Sequence, residues 1–161
     1  MTNWQAMPAD EAAELASALH GLDWSWALDD ASALVEKFGW HTISSRPRGM
    51  MLDIGFGLDS GSINAKNGQV TGIELQLTDY AEAGENAQVT AAFDDIAAAI
   101  TTKLGEPTAR LTGPPPQYRR AGEKAAVVLI RSAASVWLNL TTNSRLAADD
   151  RNIELEEQGL L

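Results

Sequence analysis

The chain is 161 residues long, 45% hydrophobic and 21% charged, the composition of one globular domain large enough to bury a core. Twelve Lys+Arg against 22 Asp+Glu give a formal net charge of −10, which argues against nucleic acid and anionic membrane surfaces as partners, since both are bound through Lys and Arg. The absence of cysteine excludes disulfides, thiolate catalysis and Cys-based zinc sites.

In chain order, Met1–Asp10 lacks the basic and apolar regions of a signal peptide, and no apolar run reaches 18 residues, so a cytoplasmic protein is expected. Pro8, with Asp10, Glu11 and Glu14 in the first turns, predicts a helix whose face is Ala12, Leu15, Ala16 and Leu19 and which stops at Gly21. A second short helix is capped by Asp29 or Asp30, buries Ala31, Leu34, Val35 and Phe38, and ends at Gly39. The period then changes to alternation, first over Trp40–Ser45 and then through Met50, Leu52, Ile54 and Phe56. Asn67-Gly68 between two strand-like runs is the clearest local signal, a two-residue type I′ hairpin. In the second of those runs Thr71, Ile73, Leu75 and Leu77 share one face, with Glu74 and Gln76 on the other.

Tyr80–Ala87 reads as a polar loop and Val89–Leu104 as an amphipathic helix ended by Gly105 and Pro107. Thr108–Leu111 is a candidate short strand, and Gly113–Pro116 an extended, polyproline-like surface crossing. Ala125–Arg131 and Ser135–Thr142 are strands joined by a tight turn, the first apolar on both faces and so central. Residues 145–161 form either a terminal helix or a frayed tail. No internal repeat is visible in the residues. The expectation is a single α+β domain over 1–161, with a mainly antiparallel sheet of about six strands and the helices packed on one face.

Charge is unevenly spread. Residues 1–109 hold five basic and sixteen acidic side chains, whereas 110–131 hold five basic ones and only Glu123. An acidic body of this kind suits a basic protein partner, because complementary charge accelerates association. Asp29, Asp30, Asp53, Asp59, Glu74 and Asp79 are the candidate acidic contacts. Trp24 and Trp26 either seal the junction between the N-terminal helices and the sheet or stand out as anchors at an interface, where Trp is enriched.

Catalytic and metal chemistry find little support. His20 and His41 have no ligand spacing between them and no nucleophile placed beside them. Gly55-Phe56-Gly57 lacks the following helix that a phosphate loop needs. No catalytic residue, metal site or cofactor is therefore expected.

Asp23-Trp24-Ser25-Trp26, Phe38-Gly39-Trp40, Gly55-Phe56-Gly57 and Leu104-Gly105-Glu106-Pro107 together resemble a family of small uncharacterised bacterial proteins of unknown function. The layout is also similar in style to immunity proteins of polymorphic toxin systems, which are acidic, cysteine-poor α+β domains. That likeness implies a non-enzymatic protein-binding module, an immunity-type inhibitor that occludes a cognate toxin or other basic partner. A dimeric secretion chaperone is one alternative reading, and a small-ligand-binding domain or enzyme is another.

Overall fold

The computed structural model describes residues 4–82, 86–113 and 115–159. Helix α1 (Ala9–His20) starts behind Pro8 and buries Ala12, Ala16 and Leu19 at helical spacing. After a short 3-10 turn at Leu28–Asp30 comes α2 (Ala31–Phe38), which buries Ala31, Leu34 and Val35. Four strands follow: β1 (His41–Arg46), β2 (Gly49–Asp53), β3 (Gly61–Lys66) and β4 (Gln69–Gln76). Helix α3 (Asn86–Leu104) then leads into β5 (Ala109–Leu111), β6 (Gln117–Arg120), β7 (Ala125–Arg131) and β8 (Val136–Thr142), and α4 (Asn143–Glu157) completes the order.

All eight strands lie in one antiparallel sheet of order β1-β2-β3-β4-β8-β7-β6-β5. Each half is helical at its start and ends in a four-stranded meander, and within the sheet the halves meet where β4 pairs with β8. Because that central pairing is antiparallel, a two-fold axis normal to the sheet relates the two topologies. The duplication lies in the path of the chain and leaves no repeat in the residues.

The β3–β4 turn is built as expected, with Asn67 and Gly68 at φ 53° and 77°. A bulge between Asn64 and Ala65 shifts the register, so Val70 joins Ile73 and Leu75 on the core face. On that face Ile63, Ile73, Leu75, Val127, Leu129, Leu138 and Leu140 are buried. Helices α1 and α3 pack on each other above β7 and β8, and α2 packs near β1.

Two expectations are corrected. Among the described residues the sheet has eight strands, not about six, and β6 is the strand that the residues do not announce. Gln-Tyr-Arg-Arg shows no apolar alternation, and its strand conformation comes from the ladder to β7. Leu111 pairs with Gln117, so β5 and β6 are the two arms of a hairpin on either side of the proline run. Pro114, in the middle of that run, and residues 83–85 of the polar loop lie outside the described residues.

The helices also do not share one face. α4, which settles the tail from Asn143 to Glu157 as helix, lies over the opposite side of the sheet, above Val128, Asn139 and Thr141. No helix among the described residues is long and apolar enough to cross a membrane.

Candidate functional site

The strand register sorts the acidic candidates into separate places. Asp53 ends β2, Asp59 precedes β3 and Asp79 follows β4, so these three sit at one end of the sheet. Asp29 and Asp30 sit at the other end, beside the Asn67-Gly68 turn, where Leu28 N–H donates to Gly68 O at 2.9 Å. Glu74 stands on the polar face of the sheet, half-buried, and takes hydrogen bonds from Ser62 Oγ (3.2 Å) and Asn64 Nδ2 (3.1 Å).

At the Asp53 end the chain makes an irregular loop from Ile54 to Ser60. Asp53 Oδ1 accepts from Gly55 N–H at 2.8 Å, and Ile54 N–H donates to Ser60 Oγ at 2.9 Å. Asp59 adopts a left-handed φ of 61°. This bracing holds Leu58 outward, 73% exposed, while Tyr80 beyond β4 is 62% exposed. Asp79 is fixed as well, its Oδ2 accepting from Gln5 N–H at 2.9 Å. Two bare apolar side chains thus stand at the end of the sheet that carries three carboxylates. Nothing in the residues marks Leu58 or Tyr80, since exposure becomes legible only when the loop is placed.

Trp24 and Trp26 lie together, ring centroids 5.5 Å apart and tilted by 42°. Trp26 is 7% exposed and belongs to the core; Trp24 is half-buried and packs against it. Trp26 takes φ 60°, and Ser25 Oγ accepts from Ala27 N–H, so the segment is a turn. It borders a cavity of about 680 Å³ that His20, Asp23, Glu123 and Lys124 also line. Trp24 Nε1–H has no hydrogen-bond partner among the described residues.

A third feature lies under α4. Arg119 on β6 donates to both oxygens of Asp150 on α4, at 2.8 and 2.9 Å, and through Nε to Gln117 Oε1 at 2.9 Å. Arg145 lies 4.0 Å from Glu74 and 3.6 Å from Asp149. The pairing of Arg119 with Asp150 is not visible in the sequence, because 31 residues separate the two.

The Asp150 carboxyl is held below the ordinary aspartate value of 3.8, chiefly by the hydrogen bonds from Arg119. Burial pushes it the other way, and the Arg119 charge adds a further lowering. A carboxyl depressed in the docked state stabilises docking at pH values above 3.8, and that stabilisation is lost as pH falls through the docked value. With Asp150 41% exposed, water screens the pair to about 1 kcal/mol or less. An NMR titration of the α4 amides should show the helix loosening in acid below pH 3.8, with the step missing in Asp150→Asn.

Among the described residues, no three His, Asp or Glu side chains converge into a set that could hold a metal ion. Fold and surface together define an α+β protein of one antiparallel sheet with helices on both faces. Residues 10–142 match a family of unknown function, DUF6301, and the chain belongs to that family. The resemblance to a family without assigned function is thereby borne out. Among solved structures the chain is similar to YjgB of Bacillus subtilis, a DUF4309 family protein. The identity is 13% over 84% of this chain and 97% of that one, with a TM-score of 0.49, too low a likeness to say anything about function. No curated protein matches the chain.

Proposed function

We propose that the protein is a non-enzymatic protein-binding module that recognises a basic partner through the end of the sheet bearing Leu58 and Tyr80, as an immunity-type inhibitor would. The observation behind this reading is the pairing of two exposed apolar side chains with Asp53, Asp59 and Asp79. The acidic body steers a basic protein in, and the apolar pair is desolvated on contact. Bracing of the loop keeps the ordering cost of binding low.

Immobilised wild-type protein should retain a specific basic protein from the native host, and high salt should release it. Leu58→Glu with Tyr80→Ala should weaken that capture by about tenfold or more, while Asp29→Asn, at the far end, leaves it in place. Recovery of the same protein by wild type and double variant alike would sink the reading, as would recovery of none.

The cavity beside Trp24 favours a second reading, a small-ligand site. Its unpartnered indole N–H and its mixed lining of His20, Asp23 and Lys124 suit a small polar molecule with an acceptor group. A ligand in that cavity should shift the indole emission of wild type, and Trp24→Phe, which removes the unpartnered indole N–H, should weaken its binding.

A further inference from the structure

The basic stretch at 110–131 is the one part of the sequence that an acidic body meeting a basic partner leaves unused. Its Arg119, 12% exposed, points to the polar face of the sheet and is neutralised by Asp150 of α4. That helix is an odd structural element. It contributes no buried residue and is barely amphipathic, unlike α1 and α2. It covers Val128 and Asn139 nonetheless, leaving a cavity of about 210 Å³ between itself and the sheet.

The fit of α4 to this face is incomplete. Its Asp150 satisfies Arg119, yet Asn139, 9% exposed, keeps Oδ1 without a hydrogen-bond donor among the described residues. A buried acceptor left unpaired is costly, so a better occupant would bring a donor to Asn139 as well as a carboxylate to Arg119. The attachment of α4 is also asymmetric. At its base Asn143 is pinned by N–H to Lys124 O (3.0 Å) and by Nδ2 to Gly122 O and Glu123 O (both 3.1 Å). Beyond that anchor the ionic contacts of Asp150 with Arg119 and of Arg145 with Glu74 hold the helix to the sheet. The family match ends at Thr142, so the strands beneath belong to the matched residues and the cover does not.

We propose that α4 is a displaceable cover hinged at Asn143, and that the sheet face beneath it is a docking surface for a helical segment of a partner protein that offers, as α4 does, a carboxylate to Arg119 and a cation to Glu74, and whose place α4 takes within the chain. The charge complementarity is already displayed and has two signs: α4 sets Asp150 against Arg119 and Arg145 beside Glu74 of the sheet. This surface is separate from the Leu58 end and does not depend on the reading given for it.

The test uses the full chain and, as probe, a labelled synthetic peptide of residues 143–157. In wild type the peptide competes with the tethered helix and should bind poorly. Asp150→Arg sets two like charges together, frees the face and should tighten peptide binding by about tenfold or more. Adding Arg119→Glu to Asp150→Arg restores the opposite pairing with the charges exchanged and should abolish that gain. In wild type the α4 amides beyond the first turn should exchange about 100-fold faster than those of β7 and β8.

Equal protection of α4 and the central strands would overturn the proposal, because α4 would then be integral to the fold. Collapse of β7 and β8 protection in Asp150→Arg would do so for the same reason. If that variant keeps its sheet but binds no peptide up to about 1 mM, the effective concentration of a short tether, the face is no docking surface.

Discussion

Truncating Leu138 to alanine is expected to destabilise the protein by about 3–5 kcal/mol, the range for a leucine deleted from a tightly packed core. Leu138 is fully buried and lies opposite Leu75 of β4 on one side and Leu129 of β7 on the other. Its strand is the seam between the two meanders, which share no other strand pairing. Removing three carbons there loses their transfer free energy and opens a hole under α1 and α3. The neighbours on both flanking strands are fixed by ladder hydrogen bonds and close that hole poorly. Urea denaturation should show the midpoint falling with little change in slope. Leu111→Ala on the edge strand β5, where the side chain is exposed, should stay within about 0.5 kcal/mol. A loss below about 1 kcal/mol for Leu138→Ala would mean that the two halves do not depend on this seam.

Where local chemistry decides structure, the residues were readable. Asn67-Gly68 specifies its turn because both positions need positive φ, and the amphipathic run from Val89 to Leu104 specifies α3. The residues of β7 imply more than its central place in the sheet. Val127 and Leu129 alternate with Val128 and Ile130, so both faces of that strand must be covered. Helices on one face alone cannot meet that demand, and α4 supplies the second cover. The tail did not declare itself because its apolar residues are sparse and it docks through charge.

β6 was illegible for a related reason: its residues are polar, and their strand conformation depends on β7 on one side and Asp150 above. The acidic candidates were legible as charge but not as sites. Only the strand register separates Asp53, Asp59 and Asp79 from Asp29 and Asp30, and brings Glu74 under Arg145.

Gly49→Ala is the other substitution with a large expected cost, about 3 kcal/mol or more. Gly49 opens β2 opposite Asn64 of β3, at φ +147°. That conformation is reached by glycine and strained for any side chain. The space is closed as well. A Cβ there would lie 2.0 Å from Ile63 O and 3.1 Å from its carbonyl carbon, which are backbone atoms of the neighbouring strand. Relief requires the β2–β3 ladder to separate at this point, and Met50 pairs with the buried Ile63 one residue further on. The damage therefore spreads from the turn into the core. Gly21→Ala is the matched control, since its nearest neighbour, Ser17 O, is 3.5 Å from the new Cβ and its φ is an ordinary −90°. It should change stability by no more than about 0.5 kcal/mol. Thermal unfolding of the two variants beside wild type separates close packing from mere loss of a glycine. If Gly49→Ala melts with wild type, the approach of the Gly49 backbone to Ile63 is looser than the structure has it.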